Sequence, residues 1–440
     1  MPGKESALSV AAEVLEEVHT SGEHPRPEEG RHIPPLSLRQ SLLFGSGGIA
    51  GGLVFTMMNN ALPLFLLSYT MPLGLPPFFN PGGAVPATLV ALLANERSLF
   101  GGLIQPLIGH ISDRTHSPLG KRSPFLVVGG LGTTLAIAAL AFHPPFWLMI
   151  AAVTLAGIAL YVAVGPYTAL LADITPFRQR GRIGGLMALF GVVGSIFFTV
   201  LSILLWDSAR PWVFIITAAL VGISMLVVAF GVREPETTPW NPAAQSHHEP
   251  LLRGLLADRN LARYVAAMAV YWLGAGAAAP FITRFGVVEL GVAQRDSFIL
   301  LLVVVIATSV GAVISGALGD KLGRRKVLQP ALLIFAVAAL IGSQVQNIEQ
   351  AIPVMLLVGL GNAAPTALHL PLLADMVPRD RAGAYMGYAS MIWSVAQPLG
   401  SLLAGILVDA TGSYRGVFIF AGICMIAASI IMKKVTARHS

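Results

Sequence analysis

Twelve apolar runs, each long enough to cross a bilayer, constrain this 440-residue chain more than any other feature of its sequence. They fall near 41–68, 86–112, 124–142, 146–172, 183–206, 211–232, 264–284, 296–319, 327–345, 350–374, 384–408 and 415–432. A helix needs about 20 apolar residues to traverse a hydrocarbon core roughly 30 Å thick. Unpaired backbone groups are so unfavourable in that medium that only helices and closed barrels span it. The long uncharged runs select helices. With 55% hydrophobic residues against 11% charged, no soluble core would absorb the apolar surface. The expected fold is an all-α membrane protein.

The basic residues give the runs a direction. With the N-terminus placed in the cytoplasm, all but five of the 28 Lys and Arg fall on inside segments, the exceptions being Arg97, Arg210, Arg284, Arg295 and Arg415. Cytoplasmic loops retain positive charge during insertion. A multi-pass protein of a plasma membrane, with both termini cytoplasmic, is therefore expected. The net charge of +6 is read as a topology signal rather than a nucleic-acid footprint.

Residues 1–40 hold no apolar segment followed by a cleavage site. They are expected to form a cytoplasmic extension in which Leu8, Ala11, Leu15 and Val18 share one face of a short amphipathic helix. A first six-helix bundle follows at 41–232, then a cytoplasmic linker at 233–263, a second bundle at 264–432 and a tail at 433–440. The end of the linker, LLRGLLADRNLARY, suits a helix lying along the membrane surface. The uncharged Pro- and Gly-rich loop from Thr70 to Ala84 is assigned no chemistry.

Two motifs occur once in each half. After the second run comes GHISDRTHSPLGKR, with Gly109, Asp113, Arg114, Lys121 and Arg122; after the eighth comes GALGDKLGRRK, with Gly316, Asp320, Arg324 and Arg325. After the fourth run comes LLADITPFRQRGRIGG and after the tenth LLADMVPRDRAGAYMG, which align Asp173 with Asp375. The duplication makes two six-helix bundles related by a pseudo-twofold axis along the membrane normal. Gly109 and Gly316 are expected to permit close helix contact. The aspartates are positioned to pair with the basic side chains or to accept from a helix N-terminus. Together these residues form a candidate cytoplasmic gate, although Lys121, Arg122, Arg324 and Arg325 also serve as positive-inside anchors.

These duplicated Gly-x-x-x-Asp-Arg/Lys loops in a twelve-span chain resemble the major facilitator superfamily, over about residues 41–432. The longer first loop, SDRTHSPLGKRSPF, with LIQPLIGHISD before it, resembles the glycoside–pentoside–hexuronide symporters and the related sucrose transporters. The resemblance implies that spans 1, 4, 7 and 10 line a central cavity, that 2, 5, 8 and 11 form a moving interface, and that 3, 6, 9 and 12 face lipid. It also implies a glycoside-like small solute moved with a proton. Span five, GGLMALFGVVGSIFFTVL, has no Gly-Pro signature of proton-driven drug antiporters, and its absence argues against drug export. An uncoupled facilitator, or an exporter of a more apolar compound, is the alternative.

Ionisable groups inside a span are costly and therefore carry functional hypotheses. Glu96 and Arg97 are buried proton-coupling candidates if the second run starts near residue 86, and lie in water if it starts near 98. His369 is the third candidate, as a proton switch or a hydrogen-bonded structural histidine. Candidate substrate-binding residues are the amides Asn59, Asn60, Gln105, Asn362 and Gln397 and the aromatic Tyr161, Tyr167, Tyr271 and Trp272; the alternatives are helix bridging and packing. Arg284 reads as an interface anchor.

The sequence holds no phosphate-cradling Gly-Lys-Ser/Thr loop and no His, Cys or Glu grouping with metal-ligand spacing. No cofactor or metal is expected, beyond a proton as coupling ion. An intramembrane enzyme is the alternative of a different class, and no nucleophile and base pair supports it. The expected partners are a small-molecule substrate and the lipid bilayer, with no nucleic acid, and the chain is expected to act as a monomer.

Overall fold

The computed structural model describes residues 35–74, 82–115, 117–232, 234, 258–377 and 382–436. The amphipathic helix expected at 8–18, most of the 233–263 linker and the last four residues of the tail lie outside the described residues. Among those described, every regular element is a helix. An isolated bridge between Thr70 and Ala84 ties the two ends of the loop after the first span.

Twelve helices follow one another: α1 (Leu38–Ser68), α2 (Ala87–Arg114), α3 (Ser123–Leu140), α4 (Phe146–Ile174), α5 (177–208), α6 (210–231), α7 (Arg259–Val288), α8 (Gln294–Leu322), α9 (Arg324–Gly342), α10 (Ile348–Met376), α11 (Ala382–Thr411) and α12 (Arg415–Lys433). Helices α5 and α6 are continuous except at Ala209, whose φ of −150° and ψ of 46° break the helix just before Pro211. Their combined length, 53 residues over Gln179–Gly231, is enough for two crossings. Helix α2 is interrupted in composition by Asn95, Glu96 and Arg97, yet it runs unbroken through them.

Helix α7 begins five residues before the expected span. Asp258 is the reason, because its carboxylate accepts from the backbone N–H groups of Asn260 and Leu261 and so nucleates the first turn there. Residues 259–263, expected to finish a surface helix, instead start the spanning one.

Each half repeats the same packing scheme. Helix α1 packs on α5, α2 on α4, and α3 on α4 and α6; in the second half α7 packs on α11 and α12, α8 on α10, and α9 on α10 and α12. The halves meet where α2 contacts α11 and α5 contacts α8. Glycine sets the spacing of the closest pairs. A Cβ at Gly52 would lie 1.9 Å from the Gly191 carbonyl oxygen between α1 and α5, and one at Gly400 would lie 1.8 Å from the Leu273 carbonyl between α11 and α7. In lipid, where apolar contact alone gives little driving force, backbone approach of this kind supplies the dispersion contact that holds helices together.

The end of the molecule where the described chain starts and finishes is the near end, and the opposite end is the far end. The hydrogen bonds that join the two halves gather at the far end. Asp409 of α11 accepts from the N–H groups of Ala87 at 2.7 Å and Thr88 at 2.9 Å, and so caps the N-terminus of α2 from the other half. Gln294 of α8 accepts from Trp206 Nε1 at 2.8 Å and from Arg210 at 3.2 Å. On α7, Thr283 donates to the Asn60 carbonyl at 2.8 Å, and Arg284 donates to the Pro63 carbonyl at 2.7 Å. Gly405 of α11 lies so close to α2 that a Cβ there would be 2.8 Å from the Ala87 carbonyl. Toward the near end the same helices expose Leu107 and Ile111 of α2 and Met391 and Val395 of α11. The halves are thus sealed at one end and apart at the other.

Two substitutions test this packing. Gly400→Ala is expected to lower the thermal-unfolding midpoint of the detergent-purified protein, at a cost of about 1–3 kcal/mol for overpacking. Gly184→Ala, where a Cβ meets nothing within 4 Å, should leave it unchanged or slightly raised. Asp409→Ala removes the cap on α2 and is expected to cost about 0.5–2 kcal/mol by the same measurement.

Candidate functional site

A cavity of about 300 Å³ opens between the halves, at the low end of the range that small-molecule sites occupy. Helix α1 contributes Phe55, Asn59 and Asn60; α5 contributes Val192 and Ser195; α7 contributes Tyr271, Trp272 and Ala275; α8, α10 and α11 contribute Thr308, Asn362 and Gln397. The lining is mostly apolar and aromatic, and among the described lining residues none is charged.

Local backbone irregularity builds this wall. In α1 the residues Met57–Ala61 form a π-helical turn just before Pro63. Such widened turns are frequent at functional sites, and this one brings the consecutive Asn59 and Asn60 to the cavity. In α7 the matching irregularity is a 3-10 turn, Ala279–Phe281, at Pro280. Irregular backbone at membrane depth is tolerated only where protein or a cavity surrounds it.

Of the nine candidate substrate-binding residues, six line the cavity: Asn59, Asn60, Tyr271, Trp272, Asn362 and Gln397. The other three are placed elsewhere. Tyr167 is buried in a separate cluster, where its hydroxyl donates to the Phe44 carbonyl at 2.9 Å and its ring meets Phe44 at 5.0 Å, so it fastens α4 to α1. Tyr161 packs against Gly101 of α2. Gln105 lies beside Gly165 on the same α2–α4 seam. Sequence position marked these as facing inward, and helix-to-helix packing absorbed them.

His369 sits on α10 just beyond the cavity wall. Its Nδ1 lies 2.9 Å from the Pro365 carbonyl and 3.0 Å from that of Thr366, its ring stands edge-on to Trp272 and Trp393, and its own carbonyl accepts from Tyr264. Glu96 and Arg97 belong to helix α2, but their side chains lie outside the described residues.

At the near end the duplicated motifs resolve into the same arrangement twice. Arg122 bridges Asp173 at 2.5 Å and Asp113 at 3.3 Å, with Lys121 also 3.3 Å from Asp173. Arg324 bridges Asp375 at 2.6 Å and Asp320 at 3.5 Å. Each Asp–Arg–Asp group ties the ends of an even-numbered helix pair, α2 with α4 and α8 with α10. The first is the better shielded: the Arg122 side chain is 9% exposed against 28% for Arg324. Exposed ion pairs contribute little, so the first group is the stiffer brace. Arg325 reaches the Lys433 carbonyl at 2.6 Å, and Arg114 ends α2. Gly109 and Gly316 do not make the close contacts expected of them. A Cβ at either would meet nothing within 4 Å, because the halves stand apart at this end.

Two functional-looking features were not singled out from sequence. Glu234 accepts from the N–H groups of Lys121, Arg122 and Ser123 and caps α3; Gly120, at φ +103°, leaves room for it. Glu289 at the far end accepts from Ser413, the Tyr414 N–H and Arg415. Burial opposes its charge, but these donors outweigh burial and hold the carboxyl below the ordinary range.

The Major Facilitator Superfamily model matches this chain at residues 44–308 and 265–439. The chain is 25% identical over 396 residues to the multidrug resistance protein MdtG of Erwinia billingiae (strain Eb661), covering 88% of this chain and 91% of that protein. It is also 25% identical over 404 residues to the protein of the same name in Escherichia coli O81 (strain ED1a), covering 90% and 94%. Among solved structures, a bacterial homolog to the human lysosomal transporter Spinster, in an inward-facing and occupied conformation, superimposes with a TM-score of 0.71 at 13% identity, over 95% of this chain and 100% of that one. A D-xylose-proton symporter does so at 0.71 and 14%, over 90% and 97%. The named sequence relatives are thus multidrug resistance proteins, rather than the glycoside symporters that the first loop resembles. This chain is a multi-pass integral membrane protein, a transporter, and it belongs to the major facilitator superfamily.

Proposed function

We propose that this transporter carries a small, uncharged, amphipathic organic solute by alternating access, outward across a plasma membrane and as a monomer. The observation that carries the solute class is the cavity wall: aromatic and aliphatic groups with scattered amides, and no described charge. A polyhydroxylated sugar would leave many of its hydroxyls without partners against such a wall, and each would forfeit its hydration without a compensating hydrogen bond. The relatives' name agrees with a drug-like cargo and runs against the argument from the missing Gly-Pro signature in span five. The glycoside reading keeps one supporting feature, the SDRTHSPLGKR loop.

The positive-inside bias supports a cytoplasmic near end, and on that reading the described conformation is inward-open. In our reading the Asp–Arg–Asp groups hold each near-end corner rigid so that the two halves rock as units. The open faces of Gly109 and Gly316 then receive the opposite half when the near end closes. Coupling to protons falls to His369, whose ring abuts the cavity residue Trp272, and to Glu96.

The test is flux from sealed proteoliposomes. A lipophilic aromatic dye is expected to move in a protein-dependent way and to be driven uphill by an imposed proton gradient. His369→Asn should retain downhill flux and weaken the gradient-driven component. Movement of radiolabelled glycosides with no movement of any dye would overturn the solute class.

A further inference from the structure

Two sets of polar groups in the cavity differ in how they are paired. Tyr271, Asn362 and Thr308 satisfy one another: the Tyr271 hydroxyl donates to Asn362 Oδ1 at 2.6 Å, and Asn362 Nδ2 donates to Thr308 Oγ1 at 3.4 Å. The second set is unpaired. Asn59 Oδ1, Asn60 Oδ1 and Trp272 Nε1 are buried without a hydrogen-bond partner, and Asn59 and Asn60 are 1% and 4% exposed.

The amide orientation in α1 is fixed by chemistry. Asn59 Nδ2 donates to the Phe55 carbonyl at 3.0 Å and Asn60 Nδ2 to the Thr56 carbonyl at 3.4 Å, and only the nitrogen can donate there. Both oxygens are left over, on residues that the π turn brings to the cavity. Leaving a buried acceptor unpaired costs more than an ordinary hydrogen bond gains, so the ligand-free wall stores a deficit that a matching solute relieves. The same turn bears on the far-end seal, since the Asn60 carbonyl holds Thr283 and, just beyond the turn, the Pro63 carbonyl holds Arg284.

We propose that Asn59, Asn60 and Trp272 are the residues that read the solute, and that they select an uncharged aromatic molecule presenting two N–H or O–H donors and one acceptor. A primary aromatic carboxamide has this complement, with two donors on its nitrogen and one acceptor oxygen. Asn362 and Tyr271, though they line the same cavity, brace the second half and do not read the solute. The inference rests on the solute class proposed above and adds which atoms discriminate within it.

The experiment compares 2-naphthamide with N,N-dimethyl-2-naphthamide, which keeps the ring and the acceptor and lacks both donors. Binding to the full-length purified protein is followed by thermal shift. The wild type is expected to bind the primary amide about tenfold tighter or more, the scale of two hydrogen bonds. Asn59→Leu with Asn60→Leu should bring the ratio close to one without lowering the ligand-free midpoint, because removing each unpaired buried oxygen offsets the loss of one bond to a carbonyl of the same helix. Asn362→Leu should lower the ligand-free midpoint and keep the ratio. Should the double variant not fold, Asn59→Leu alone is expected to reduce the ratio partway. Equal binding of the two probes to wild type, a ratio that survives in the Asn59 variant, or a fall in the Asn59→Leu midpoint like that of Asn362→Leu overturns the proposal. Dye flux through the same preparation reports on the transporter reading separately, so that either can fail alone.

Discussion

Hydrocarbon offers the backbone no hydrogen-bond partner, and the architecture follows from that constraint. Every span must close its own ladder, so what distinguishes one helix from another is where it approaches a neighbour and where its ladder is broken. Approach is set by glycine: Gly52 against Gly191 in one half and Gly400 against Leu273 in the other bring equivalent helix pairs to backbone contact. Breaks occur at Met57–Ala61 in α1 and Ala279–Phe281 in α7, which pack against one another beside the cavity. The cavity is thus assembled where the regular solution is relaxed.

The two ends of the molecule use polar chemistry differently. At the near end Arg122 and Arg324 each bridge two aspartates of their own half, so those contacts stiffen a half without joining it to the other. At the far end the polar contacts cross between halves, from Asp409 to the N-terminus of α2 and from Arg284 to the Pro63 carbonyl. A carboxylate on a helix N-terminus and a guanidinium on a carbonyl are directional, and they can be made and broken without rearranging an apolar core. Rigid halves with a breakable seam are the elements that a rocking carrier requires.

Much of this was legible in the sequence. The twelve runs became twelve helices, and the duplicated Asp and Arg positions became the same braced corner twice, because local motifs keep their partners within a few turns. What was not legible depended on long-range contact. Arg284 read as an interface anchor, yet it is 2% exposed and grips α1 of the other half. Asp409 carries no local signal, since nothing near it in sequence shows that a side chain at the end of one helix caps another some three hundred residues earlier. Tyr167 and Asn362 carry similar polarity on spans that the resemblance expected to line the cavity, and only the fold separates the one that fastens α4 to α1 from the one that meets the cavity, which no described α4 residue lines. Glycine spacing suggested contact at Gly109 and Gly316, but a Cβ at either meets nothing within 4 Å.

The central claim is that the halves rock as units, so that opening the far end closes the near end. Distances between spin-label pairs measure this directly in lipid nanodiscs, with Leu107 and Met391 reporting the near end and Leu73 and Val288 the far end. Unlocking the seam with Asp409→Ala and Arg284→Leu is expected to lengthen the far-end distance and shorten the near-end one together. A far end that lengthens while the near-end distance stays unchanged would contradict the account.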